Sequence, residues 1–251
     1  MSGRFGIANN RLQLEVAAEE TVCVNANIGA PFLGQVDKHG AGELVLDGEW
    51  LLSGHARTYA GTLTLTNSAI FDIGNRGFYH GDGTGADTVL NIGGNAQFLS
   101  TDLGSGQKHP GIVVGAHAGC KAVMNVTGNA FVRGKILVGG TDLADSNTVA
   151  AVYQSGDSLW NSPAGNNNDG MVGMYGCGLY QLDGGHLAIN GGTHANPTFA
   201  GHTVYAWSEV LDRMELPGRT DVGALRLRTV ATKDRPCADH PHNHRAARDH
   251  D

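Results

Sequence analysis

Between residues 44 and 182 apolar and polar side chains alternate in short runs, and each run breaks at a glycine or an asparagine. Six such breaks fall at Gly48, Asn67, Gly94, Gly128, Gly156 and Gly184, at intervals of 19, 27, 34, 28 and 28 residues. Four and two positions before them stand Leu44 and Leu46, Leu63 and Leu65, Leu90 and Ile92, Met124 and Val126, Val152 and Gln154, and Tyr180 and Leu182. All but Gln154 are apolar, and the positions between are mostly polar or glycine. A period of two means a strand with one buried face. Glycine and asparagine enter the left-handed backbone region at least cost, so each break predicts a corner at a strand end.

A second strand signal accompanies most copies: FDIG at 71, IVVG at 112, ILVG at 136 and MVG at 171, each closing on glycine. Each unit therefore holds at least two short strands. A unit this small cannot bury its apolar side alone, so the copies must stack, and strands stacked in one direction at about 4.8 Å predict a parallel β-helix. Variable stretches such as GNRGFYHGDGTGAD and SPAGNNNDG are expected to protrude as loops. Asn95, Asn129 and Asp157, one residue past their corners, would form a ladder of side-chain bonds or serve as ordinary turn residues.

Composition agrees with a turn-rich β protein. Of the 251 residues 38 are glycine, while charged residues make up 16% and aromatics 6%. A formal charge of -7 argues against a nucleic-acid partner, which would need clustered Lys and Arg. No apolar run is long enough for a transmembrane helix, and the start has neither the basic nor the apolar region of a secretory signal. Cys23, Cys120, Cys177 and Cys237 are widely spaced, which suggests neither a zinc site nor a disulfide framework. Aligned on their corners, Cys120 and Cys177 fall two stacking steps apart, about 9.6 Å, beyond the roughly 7 Å a disulfide spans.

KHGAGELVLDG at 38 and YAGTLTLTNS at 59 resemble the autotransporter-associated β-strand repeat, and IVVGAHAGCKAVMNVTGNAFV and MVGMYGCGLYQLDGGHLAI are similar to related glycine-rich passenger repeats of bacterial surface proteins. The resemblance spans residues 30 to 192. It implies a right-handed, single-stranded parallel β-helix of pectin-lyase-like shape, an all-β solenoid of about six to eight coils, exported and displayed outside the cell. The chain departs from that family in lacking a signal peptide and a C-terminal barrel, which marks it as a fragment or leaves its export open.

The pattern changes near Asp212. Residues 1 to 211 hold 36 of the 38 glycines but 9 of the 17 Lys and Arg, and the last forty carry the rest with four histidines. The expected organisation is an N-terminal strand or cap over 1–30, repeats over 31–204, a capping helix over 205–216 with Trp207, Val210, Leu211 and Met214 on one face, and a disordered tail over 217–251. Translation past a frameshift, or an artificial gene end, would produce so abrupt a break.

Candidate chemistry is sparse. His240, His242 and His244 with Cys237 are potential transition-metal donors, but nothing fixes their orientation. GTGADTV at 83 matches half of a calcium-binding nonapeptide, yet such sites need tandem copies, so Asp82 and Asp87 read as loop residues. Ser158 in GDSLW falls where other copies have Ala96 and Ala130, so the repeat accounts for it. The outward acids nearest the strands, Asp47 and Asp183, belong to the first and last copies and form no catalytic pair. No catalytic residue, metal or cofactor is assigned. The expectation is a non-catalytic, adhesive passenger segment of a secreted or surface protein, contacting carbohydrate, a neighbouring cell's surface protein or the remaining coils of a longer parent. An extracellular polysaccharide lyase or glycosidase, and an intracellular scaffold, are the alternatives.

Overall fold

The computed structural model describes residues 3–8, 10–28, 34–101, 111–141, 147–162, 170–173, 176–189, 204–215 and 223–233. The chain divides into two compact units, Met1–Gly192 and Thr193–Asp251. All described regular structure is β-strand, and no described helix is long and apolar enough to cross a membrane.

In the first unit the strands fall into three sheets. The first contains β1 (Gly3–Ala8), β2 (Arg11–Val16), β4 (Gln35–His39), β7 (Ala56–Thr58), β10 (Phe78–His80), β13 (Ile112–Val114), β16 (Ile136–Val138) and β19 (Gly170–Val172). The second contains β3 (Thr21–Asn25), β5 (Glu43–Asp47), β8 (Gly61–Leu65), β11 (Asp87–Ile92), β14 (Lys121–Val126), β17 (Val149–Gln154) and β20 (Cys177–Leu182). The third contains β6 (Glu49–Leu51), β9 (Ile70–Asp72), β12 (Gln97–Leu99), β15 (Phe131–Arg133), β18 (Leu159–Ser162) and β21 (His186–Ile189). From β4 onward the chain visits the three sheets in turn, and each tier of three strands pairs in parallel with the tier before it. β1 instead pairs antiparallel with β2 at the end of the first sheet.

Each tier holds three strands, within the expected minimum of two, and the second strand signal turns out to mark two different sheets. FDIG at 71 contributes β9 of the third sheet, whereas IVVG and ILVG contribute β13 and β16 of the first. Two different strands shared one short signature. The stretch GNRGFYHGDGTGAD is not all loop either: it contains β10, whose Phe78 and His80 are fully buried.

The corners connect the second sheet to the third. Gly48, Asn67, Gly94, Gly128 and Gly156 have φ between 55° and 84°. In the last copy the left-handed residue is Gly185 (φ 79°), one position past Gly184. Successive corners touch through their backbones: the Asn95 amide donates to the Asn67 carbonyl at 2.7 Å, and the Asn129 amide to the Gly94 carbonyl at 2.8 Å. Side chains add to this, since Asn129 Nδ2 donates to Asn95 Oδ1 at 3.2 Å. A second amide ladder runs on the outer face of the second sheet, where Asn125 Nδ2 donates to Asn91 Oδ1 at 2.9 Å.

Inward side chains stack by type. Leu44, Leu63, Leu90, Met124 and Val152 occupy one register line of the second sheet and are buried. Trp50, Phe71, Phe98, Val132 and Trp160 do the same in the third. The Phe71 and Phe98 rings stack with centroids 5.5 Å apart, and Phe78 meets Phe98 edge-on at 5.0 Å. Gln154, the polar exception, is fully paired: Nε2 donates to the carbonyls of Ser158 (3.1 Å) and His186 (3.0 Å), and Oε1 accepts from the Tyr180 hydroxyl.

The second unit contains β22 (Val204–Glu215) and β23 (Gly223–Lys233), paired antiparallel with a bulge between Val210 and Asp212. This corrects the helix expected over 205–216 and part of the disordered tail over 217–251. Val204, Tyr205, Trp207 and Val210 are strand formers, and GALRLRTVATK carries the alternating run LRLR at 225–228, so a partner strand was available to outweigh the helical spacing. Residues 234–251 lie outside the described ones.

Candidate functional site

On β4 and β7 the alternation aims Asp37 and Arg57 to the side opposite Val36, Lys38, Ala56 and Thr58, and pairing puts the two side by side. Asp37 is nonetheless fully buried. It accepts from Arg11 Nε and, at 2.9 Å, from Gln35 Nε2, so its charge is met on both sides. Arg57 Nη1 bonds Asp82 Oδ2 at 2.8 Å, and its guanidinium lies 5.3 Å from the Tyr79 ring centroid. Burial pushes the Asp82 carboxyl up, against the pull of Arg57. His39 stacks flat on Tyr59 at 4.4 Å, and burial pushes its imidazole down. The result is a row of alternating charges, Arg11, Asp37, Arg57 and Asp82, across the outer side of the first sheet.

The opposite side of the same strands carries Lys38, Thr58 and His80 in register, all buried among apolar neighbours. Lys38 Nζ donates to the carbonyls of Gly40 (2.5 Å), Gly42 (2.7 Å) and Ala60 (2.8 Å), which uses every ammonium proton. Burial still pushes its pKa down to about 8. His80 Nε2 lies 2.9 Å from the Val123 carbonyl, which fixes the proton there, so Nδ1 accepts from the Thr58 hydroxyl at 2.6 Å. Thr58 Oγ1 in turn accepts from the Gly81 amide at 3.2 Å. These groups are satisfied structural polar residues, with no bond left for a substrate.

None of the residues singled out as metal donors converge. Asp82 is committed to Arg57, and Asp87 begins β11 in register with Lys121. His240, His242, His244 and Cys237 lie outside the described residues. Among the described residues no group of three His, Cys, Asp or Glu is placed to hold a metal. Cys120 is buried and Cys177 half-buried; both are thiols, and Cys177 registers with Val149, which registers with Lys121. Ser158 is buried and donates to the Ser155 carbonyl at 2.9 Å, a turn bond rather than a nucleophile's setting. Asp47 accepts from the Gly48 amide at 2.9 Å and from Asn67 at 3.1 Å. The outer charge row and the inner Lys38–Thr58–His80 line escaped the sequence reading. Their signal is a charged or hydrogen-bonding residue at an inward position just ahead of a glycine turn, as in QVDKHG and FYHG.

No family model matches the chain, and no solved structure matches it. Two curated proteins share segments with it. The β-methylmalyl-CoA dehydratase of Chloroflexus aurantiacus is 71% identical over 55 residues, 22% of this chain and 16% of that protein. The mesaconyl-CoA hydratase of Cereibacter sphaeroides is 65% identical over 49 residues, 19% of this chain and 13% of that protein. The chain thus spans about a sixth or less of the relatives it matches. These matches overturn the resemblance to autotransporter passengers, and with it the adhesive, non-catalytic role, the polysaccharide lyase or glycosidase alternative, and the extracellular or surface location. Stacked strands closed by glycine corners arise wherever short parallel strands pile up, so the GxLxL motifs reported geometry and not ancestry.

Proposed function

We propose that the chain takes part in adding water to, or removing it from, an enoyl-CoA thioester, and that the segment it shares with the two CoA enzymes is its second unit. The observation that carries this reading is the high identity confined to a short stretch. Thr193–Asp251 is just long enough to hold the 55 residues matched, whereas the repeat pattern fills residues 30 to 192 without a gap of that size. Under this reading the compositional break near Asp212 lies inside an enzyme-derived segment, and the frameshift explanation for it is dropped.

The relatives' names describe two directions of one reaction class. Hydration puts a hydroxyl on the β carbon of the enoyl thioester and a proton on the α carbon, and dehydration removes both. Such a step needs a general base and acid placed at those carbons. The test uses the full chain with mesaconyl-CoA, following loss of the enoyl-thioester absorbance and formation of the hydroxyacyl product by chromatography, with calorimetric titration of the same thioester. Binding with conversion is expected; a chain that neither binds nor converts the thioester overturns the proposal.

For the first unit we propose a right-handed, single-stranded parallel β-helix. Its support is the strand order, in which the chain returns to each sheet after three strands, together with the inward register lines of Leu and aromatic residues. A high-resolution diffraction or cryo-microscopy structure with consecutive strands in one sheet would overturn it.

A further inference from the structure

Four turns lead into the first sheet at successive tiers: Asn10 ahead of β2, Gly34 ahead of β4, Gly54 ahead of β7 and Arg76 ahead of β10. A cleft of about 500 Å³ opens across them, lined also by Arg11, Gln13, Gln35 and His55. Its floor is bare backbone. A Cβ on Gly54 would come within 1.9 Å of the Gly34 carbonyl oxygen, and one on Gly34 within 2.5 Å of the Asn10 carbonyl oxygen. At Gly34 and Gly54 the turns therefore pack too closely to carry side chains, and the polar groups stand around the rim.

The rim is built of donors. Among the described residues no carboxylate lines the cleft. The nearest acid on these strands, Asp37, is buried and closed off by Arg11 Nε and Gln35 Nε2. Among the described residues Arg11 bonds Asp37 through Nε, so its two terminal nitrogens offer four N–H groups to a ligand. Arg76 is exposed and has no side-chain bond or ion pair among the described residues. Gln13 is exposed beside Asp37 in the strand register. Nδ1 of His55 accepts from the Gly77 amide at 3.1 Å, which holds the ring against the rim. A chain of net charge -7 thus gathers two guanidiniums and three side-chain amides around one concavity.

We propose that this cleft binds the phosphate group of a small phosphorylated organic molecule. Two guanidiniums offer the paired N–H geometry that phosphate oxygens accept, and their number exceeds what one carboxylate can use. The volume falls in the range of small-molecule sites and leaves room for an organic body beside the phosphate. The inference rests on the first unit alone and stands whether or not the chain acts on CoA thioesters.

The test is calorimetric titration of the full chain at low ionic strength, where exposed charges are least screened, with three probes: inorganic phosphate, glucose 6-phosphate and adenosine 3′,5′-bisphosphate. The two organic arms separate a sugar phosphate from a nucleotide phosphate as the source. At least one should bind about tenfold more tightly than inorganic phosphate, Arg76→Ala should weaken it by about tenfold, and Arg76→Lys should recover part of the loss. Because Arg76 is exposed and makes no side-chain hydrogen bond or ion pair among the described residues, the thermal midpoint should stay where it is. Gln13→Glu, at an exposed position, should abolish binding by placing a carboxylate in the rim. Organic probes that bind no better than inorganic phosphate, or affinity unchanged in Arg76→Ala, overturn the proposal.

Discussion

Acid should destabilise the first unit through one residue, His80. Its imidazole is fully buried, and burial pushes its pKa from 6.5 down to about 4, against the opposing pull of the Val123 carbonyl. The neutral ring is well served: Nε2–H meets Val123, and Nδ1 receives the Thr58 hydroxyl proton. Protonating Nδ1 would turn that acceptor into a donor and strand the Thr58 proton in the core. The sign follows from proton binding. Between pH 6.5 and 4 the unfolded chain carries a proton on this residue that the folded chain does not, so stability is full above 6.5 and falls as pH drops toward 4. The loss is about 2 kcal/mol by pH 5 and approaches about 3 kcal/mol at pH 4 and below. His80→Gln keeps a donor for Val123 and removes the titration. Urea unfolding of both proteins at pH 7.5 and pH 5 isolates the residue from every other titrating group: the parent should lose about 2 kcal/mol more than the variant. Equal losses in the two proteins would refute the assignment of a neutral, buried His80.

Two further changes probe the stacking itself. Gly156→Ala places a Cβ 2.9 Å from the backbone N and O of Gly128 at φ 71°, and should lower stability by about 1 to 3 kcal/mol in chemical denaturation, whereas Asn67→Gly at an equivalent corner should be close to neutral. Gln154→Leu removes the side-chain partner of the Tyr180 hydroxyl and the His186 carbonyl, while the Ser158 carbonyl keeps the His186 amide, and should cost about 1 to 3 kcal/mol. Adding Tyr180→Phe should then cost less than it does alone, and a double-mutant cycle with no coupling would remove the proposed bond from the account.

The alternation was legible because it is local. Leu63 and Leu65 or Leu90 and Ile92 report a buried face two residues at a time, and Gly94 or Gly128 reports its own φ. What the alternation could not separate was β9 from β13, because three-residue strands carry one inward side chain or two and nothing to tell one sheet from another. The hairpin of the second unit failed to show for a different reason. YAWSEVLDRMEL satisfies a helical stripe on its own, and only pairing with GALRLRTVATK, a partner beyond Glu215, makes it a strand. The outer charge row is harder still to read. Asp37 and Arg57 are twenty residues apart, and their meeting depends on the register of β4 with β7. The cleft has the same origin, since Asn10, Gly34, Gly54 and Arg76 come together only when four turns stack.

Register is also where the buried polar residues matter. A stack of Leu, Ile and Val lines can slide by two residues and still bury apolar surface, so apolar contact alone specifies the pairing weakly. Lys38, Thr58, His80 and Gln154 cannot slide. Lys38 needs the carbonyls of Gly40, Gly42 and Ala60, His80 needs Thr58 and Val123, and Gln154 needs Ser158, His186 and Tyr180. A slip would break the bonds that reach another tier, Lys38 to Ala60, His80 to Thr58 and Val123, and Gln154 to His186 and Tyr180, at about 1 to 3 kcal/mol for each buried group left short of a partner. The first three sit where the corner spacing changes from 19 to 27 to 34 residues, the tiers in which insertions make the register hardest to hold by turn length. Polar inward residues therefore follow from the uneven repeat: where the chain does not return after a constant number of residues, a hydrogen bond with one possible partner replaces turn length in fixing which tier lies on which.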